Sequence, residues 1–259
     1  MDLLRALAAR TPYAGRVALV VAHPDDEAIA AGGSLALLPN LLLIQVTDGA
    51  PHRLPDWRDH GFASPHAYGE ARAAETRAAL AAAGCDATHV SLGVPDQDVS
   101  YYLADTARRL AALFAEHAID AVLTHPYEGG HPDHDSTAWV THAAARLGPA
   151  HPALAEFASY HAGVGEPLRG EFLPGPDPVV IHLTEAEQAR KARMFAAHAS
   201  QASVLADFTT ARESFRAAPA YDWSRPPHPP PLLYERWGWD LTSGRWRALA
   251  AEARRTLWP

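Results

Sequence analysis

Four short stretches, at residues 16–22, 41–47, 89–94 and 120–124, are rich in Val, Ile and Leu. Strands that are buried on one face alternate apolar and polar positions, whereas strands covered on both faces read as near-continuous apolar runs. The four runs therefore predict parallel strands in the middle of a layered sheet. Between them, residues 28–38, 68–83 and 101–117 are alanine-rich and of helical length, and Leu103, Ala107, Leu110 and Phe114 recur at the period of one buried helical face. Strand followed by helix, repeated, specifies an α/β fold: a Rossmann-like, mostly parallel sheet flanked by helices. Open sheets of this kind place their ligands at the carboxyl ends of the strands.

Beyond residue 147 the pattern is less regular. Residues 155–161 and 179–183 suit further strands, and Thr184 with Glu187 forms a capping box that opens a helix through Ala197. The stretch SRPPHPPPLLYERWGWD then concentrates prolines and aromatics, which predicts an ordered segment that hugs the surface and ends in a strand, before a last helix at residues 245–257. No internal repeat interrupts this order, so residues 1–259 read as one domain.

Composition narrows the function. With 48% hydrophobic residues in 259, the chain can bury a sizeable core, and a net charge of −8 without any Lys/Arg cluster argues against a nucleic-acid partner. No apolar segment reaches 18 residues and the N-terminus lacks a signal-peptide core, so the expectation is a soluble, cytoplasmic protein without a membrane partner. Cys85 is the sole cysteine, which rules out a disulfide within the chain and fits a reducing compartment. Its place in a helix-to-strand turn gives it a structural role. The oligomeric state is left open.

The chemistry lies where apolar runs stop. The first ends in VVAHPDDEAIAAGG, which puts His23, Asp25, Asp26 and Glu27 beyond a strand end, and the fourth leads into HPYEGGHPDHDS, with His125, His131, Asp133 and His134 in the equivalent place. Adjacent carboxylates repel one another, so a solvated turn or a cation is needed beside them. Imidazole with carboxylate is a zinc-type donor set, whereas magnesium or calcium would draw mostly oxygens; iron or cobalt also fits. Phosphate-binding readings fail, because neither G-x-G-x-x-G nor G-x-x-x-x-G-K-[ST] occurs, and no G-x-S-x-G elbow marks a serine hydrolase.

AHPDDE at residues 22–27, TDG at 47–49, RAAE at 72–75, HPDH at 131–134 and HASQ at 198–201 resemble, in that order, the LmbE-like or PIG-L family of metal-dependent N-acetylglucosaminyl deacetylases. The resemblance spans residues 16–201 and leaves 202–259 to shape substrate selectivity. It implies one zinc per chain held by His23, Asp26 and His134, with Asp25 as general base. His131 would polarise or protonate the amide, oriented by Asp133. Arg72 would contact the sugar through two hydrogen bonds, together with Asp96 or, equally close in sequence, Asp98. His198 would stand behind the metal. The implied partner is a small amino-sugar substrate, with its aglycone toward Trp57, Tyr221, Trp223 and Trp237. Alternatives are an amidase or deacylase of another N-acyl metabolite, or a non-catalytic metal-binding protein, the last disfavoured because Asp25 is present.

Overall fold

The computed structural model describes residues 2–53 and 55–259. The strands are β1 (Val17–Val21), β2 (Leu41–Pro51), β3 (Thr88–Asp96), β4 (Ala121–Thr124), β5 (Ala153–Phe157), β6 (Tyr160–His161), β7 (Leu168–Arg169), β8 (Val179–His182) and β9 (Arg212–Ala217). The helices are α1 (Leu3–Ala8), α2 (Asp26–Ala31), α3 (Asp56–Asp59), α4 (Pro65–Ala83), α5 (Leu103–Glu116), α6 (Pro132–Leu147), α7 (Glu185–Ala197), α8 (Ala202–Leu205), α9 (Leu233–Arg236) and α10 (Ser243–Leu257). Among the described residues the main sheet has seven strands in the order β3-β2-β1-β4-β5-β9-β8, and β6 and β7 form a separate ladder. The first five run parallel, and β9 pairs antiparallel to both β5 and β8.

Burial on both faces follows from the strand period. In β1, Val17, Leu19 and Val21 pack with Leu3 and Leu7 of α1, Ala79 and Leu80 of α4 and Met194 of α7. Ala18 and Val20 point the other way, into Leu103, Leu110 and Phe114 of α5, Trp139 of α6 and Trp246 of α10. This two-sided cover is the arrangement the apolar runs predict. The 3.6-period face of α5 is buried along its length, as expected.

Three expectations change. The helix expected over residues 28–38 is cut to α2, because the Gly33 N–H donates to the Glu213 carboxylate at 2.8 Å and a Cβ on Gly33 would lie 2.4 Å from Leu183. The strand expected over 155–161 breaks after Phe157, and the chain leaves the sheet to form β6. The tail turns into α9 instead of a strand: Glu235 accepts from the Leu232 N–H at 2.6 Å and the Ser243 N–H at 2.8 Å, closing that segment on itself. β9 was not foreseen, since RESFRA carries charges at buried positions. Buried counter-charges make it a strand: Glu213 meets Lys191 at 3.0 Å and Arg216 meets Glu156 at 2.8 Å.

Candidate active site

The strand order reverses between β1 and β4, which leaves a crevice beyond their carboxyl ends. After β1, His23 and Pro24 lead to Asp25, which caps α2 with a φ of 132°, a conformation that costs a non-glycine residue roughly 1–3 kcal/mol. Surrounding contacts hold it there. The Glu27 carboxylate accepts from the Asp25 N–H at 3.0 Å, and Arg72 of α4 donates to the Pro24 carbonyl at 2.6 Å and to Asp25 Oδ2 at 3.1 Å. The other Arg72 amine donates to the Gly49 carbonyl at 2.6 Å. Gly49 has φ +68° and a Cβ there would sit 2.7 Å from the guanidinium, so this turn requires glycine.

After β4, His131 caps α6 and Pro132 occupies the first turn. The His131 Nδ1 accepts the Asp133 N–H at 3.0 Å, so the neutral ring carries its proton on Nε2. Asp135 accepts from the N–H groups of Glu128 and Gly129, at 3.2 and 2.9 Å, and fixes the loop before the cap.

These two segments bring His23, Asp26 and His134 together, one ligand atom from each lying within 4.8 Å of the others. His23 Nδ1 is 3.3 Å from Asp26 Oδ2, and His134 Nε2 is 3.4 Å from Asp26 Oδ1. Asp96, at the end of β3, lies 3.2 Å from His23 Nε2, and Asp133 lies 3.4 Å from the same nitrogen. A second grouping of His23, Asp96 and His131 also falls within 4.8 Å. In that grouping His23 Nε2 faces the carboxylates of Asp96 and Asp133, while its Nδ1 faces Asp26.

The residues fit a divalent metal of the zinc type. Burial, with His125 alongside, pushes His134 down to about 3, so its ring is neutral. Burial opposes charge on Asp26, yet His134 and His125 hold its carboxyl well below the usual range. Burial also works against a charged His23, but Asp96, Asp133 and Asp26 keep it well above the usual imidazole range, so a metal bound there has to displace a proton. A metal needs free imidazole lone pairs and an ionised carboxylate. Two nitrogens and one oxygen are such a set, and His23 Nε2, Asp96 Oδ1 and His125 Nδ1 are buried without hydrogen-bond partners.

A cavity of about 440 Å³ opens on this cluster, and Asp25, Arg72, Asp96 and His131 line it with the three candidate ligands. Burial raises Asp25 to about 7, against the pull of Arg72. Asp98 is not in the lining and instead lies 3.3 Å from Arg53, whereas Asp96 lines the cavity. His198 is fully buried behind the site, 2.6 Å from the Glu27 carboxylate whose other oxygen holds Asp25.

Several expected roles meet a different geometry. The Asp133 carboxylate does not reach His131; it accepts from the N–H groups of Gln97 and Val99, at 2.6 and 3.2 Å, and ties α6 to the end of β3. Its backbone N–H orients the imidazole instead. Arg72 cannot offer both amines to vicinal hydroxyls, because three protein oxygens already occupy them. Tyr221 and Trp223 pack on Tyr127, at 5.7 and 4.9 Å between ring centres, and Trp57 pairs with Arg58; none of these three lines the cavity, whereas Trp237 does. Tyr160 and Trp239 also line it and were not foreseen. Tyr160 lies just beyond the carboxyl end of β5, so the strand-end rule applied once more would have found it. Trp239 gave only the spacing W-G-W.

Residues 18–145 match the family PIG-L, described as GlcNAc-PI de-N-acetylase. The curated 1D-myo-inositol 2-acetamido-2-deoxy-alpha-D-glucopyranoside deacetylases of Mycobacterium sp. strains KMS and JLS are each 33% identical over 172 residues, 56% of this chain and 56% of theirs. The chain thus spans about half the length of the curated relatives it matches. Among solved structures, the zinc-inhibited form of the teicoplanin deacetylase Orf2 superposes with a TM-score of 0.56 at 15% identity, covering 80% of this chain and 100% of that one. The N,N'-diacetylchitobiose deacetylase of Pyrococcus horikoshii gives 0.57 at 17% identity, covering 84% and 90%. At these identities the likeness establishes the fold, and the family match covers residues 18–145, just under half of the chain.

Proposed function

We propose that the protein is a metal-dependent hydrolase that removes the N-acetyl group from an N-acetylglucosamine-type substrate. One observation carries the reading: Asp25, held near neutrality at about 7, lines the same cavity as the candidate ligands His23, Asp26 and His134. A carboxyl group poised near the working pH suits a general base. When bound there, a zinc ion, one per chain, supplies Lewis acidity toward the amide and its attacking water; other divalent transition metals suit the same donors.

The side chains divide the remaining work. Asp25, aimed by Arg72 and by the Glu27 contact to its N–H, takes the proton of the attacking water and returns it to the leaving amine. His131 is kept neutral, since burial and the neighbouring His23 and His134 hold it well below the usual imidazole range. It therefore acts by donating its Nε2–H to the amide oxygen as negative charge develops there. Asp96 and the two Arg72 hydrogens left without protein partners are the polar groups offered to sugar hydroxyls, and His198 steadies Glu27. Residues 202–259 complete the substrate wall of the same catalytic domain through Trp237 and Trp239. No helix among the described residues is long and apolar enough to cross a membrane, and the lone thiol Cys85 suits a cytoplasmic setting.

The test is release of acetate and free amine from N-acetylglucosamine by protein loaded with zinc and by protein stripped of metal. Turnover that requires the metal supports the reading. Tight zinc binding without acetate release from any N-acetyl amino sugar would favour a non-catalytic metal-binding protein.

A further inference from the structure

The cavity has two walls of opposite chemistry. Around His23 and Asp25 it is imidazole and carboxylate, while elsewhere the lining includes the apolar side chains of Trp237, Trp239, Phe208, Val204 and Pro167 beside the polar Gln201 and Ser203. Trp237 remains 45% exposed and Val204 47% exposed, apolar surface that the protein itself leaves uncovered. The two indoles are 5.4 Å apart at 49°, and the ring of Trp239 meets His131 edge-on at 4.8 Å. The shelf therefore starts beside the reacting end and runs outward.

Two charged side chains beside it, Arg169 and Asp207, pair with each other. Arg169 lies 2.5 Å from Asp207 and sits over the Phe208 ring at 5.9 Å, so the pair largely cancels its own charge. A polyol laid on this rim would lose water from its hydroxyls and find few partners, whereas a flat apolar group would bury area against the indoles. We infer that the shelf selects N-acetylglucosaminides whose aglycone is apolar and flat, with Trp237 as the main specificity-determining residue. The inference rests on the deacetylase reading and names its substrate class.

Acetate release is followed on zinc-loaded protein with methyl and phenyl N-acetylglucosaminides of both anomers and with N,N'-diacetylchitobiose. For at least one anomer, kcat/KM for the phenyl glycoside exceeds that for the methyl glycoside by about tenfold, mainly through KM, the scale on which apolar pockets discriminate. Trp237→Ala lowers the phenyl-to-methyl ratio several-fold, and Trp237→Phe retains most of it. Val204→Asp, at an exposed position on the same shelf, lowers the ratio too and serves if Trp237→Ala does not fold. A parental ratio near one, a ratio untouched by these variants, or diacetylchitobiose outpacing the phenyl glycoside overturns the inference and leaves the deacetylase reading standing. No acetate from any of these compounds overturns both.

Discussion

Two buried charged clusters flank α2, one at its first residue and one around Ile29, Gly33 and Ser34, and they differ in how completely they are satisfied. In one, the Lys191 ammonium donates to the Ile29 carbonyl at 2.7 Å and to Glu213 at 3.0 Å, and Glu213 also accepts from the Gly33 N–H and the Ser34 hydroxyl. Neither side chain has a buried polar atom left without a partner. In the other, around His23 and Asp26, buried nitrogens and oxygens face one another without hydrogen bonds, and Asp25 sits in a strained conformation. A saturated cluster holds the fold together; an unsaturated one, kept in place by its surroundings, is prepared for a cation and a substrate. Burial alone does not distinguish them.

Asp25→Asn tests that contrast most severely. Turnover falls by roughly 10²–10⁴, the range for a general base, while zinc content by elemental analysis stays at the parental level. The parental rate also falls as pH drops below about 7, because the base must be deprotonated and burial raises Asp25 to that value. The variant lacks this acid limb. An unchanged profile would remove Asp25 from its role.

Lys191→Met acts on the saturated cluster and reverses the pattern. It strands the Glu213 carboxylate in the interior and lowers stability by about 3–5 kcal/mol, read by urea unfolding. Turnover per folded molecule is retained. Loss of turnover at full stability would mean that the two clusters are not separate.

His198→Ala removes the fully buried partner of Glu27. Metal affinity or turnover drops roughly 10–100-fold, as for groups that orient ligands from behind. His198→Gln, which keeps a donor toward Glu27, recovers part of it, whereas a purely packing role predicts equal losses for both variants.

The smallest effect concerns Asp135, which burial raises to about 8 although two backbone N–H groups stabilise its ionised form. Between the ordinary carboxyl pKa and about 8 the folded state holds a proton that the unfolded state has released, so this group's contribution to stability declines as pH rises through that window. Asp135→Asn keeps an acceptor for both N–H groups and has no charge to bury. Its melting temperature relative to the parent rises between pH 5 and 8 by a few degrees. A constant difference across that range would contradict the assignment.

What was legible in the sequence is local or repeated. Apolar runs gave β1, β2, β3 and β4, the helical period gave the buried face of α5, and the abrupt change from Val21 to His23 and from Thr124 to His125 marked both strand ends. Strand-end topology then brought the two histidine and aspartate groups together, since β1 and β4 are neighbours. β9 escaped because its charges are neutralised by Lys191 and Glu156, partners 22 and 60 residues away.

The sequence by itself determined the layered sheet, the place of the chemistry and the donor types available to a metal, because period and residue type act over a few neighbouring positions. Tertiary structure alone decided that the Asp133 carboxylate braces β3 and leaves His131 to a backbone N–H, and that Arg72 spends its amines on Pro24, Gly49 and Asp25. It also decided which tryptophans face the cavity: Trp239 lies 4.8 Å from His131, while Trp223 packs on Tyr127. Each of these choices is a competition among several acceptors or faces of similar intrinsic strength. Its outcome depends on which of them the packed chain brings within hydrogen-bonding or van der Waals reach, and that is a property of the whole fold.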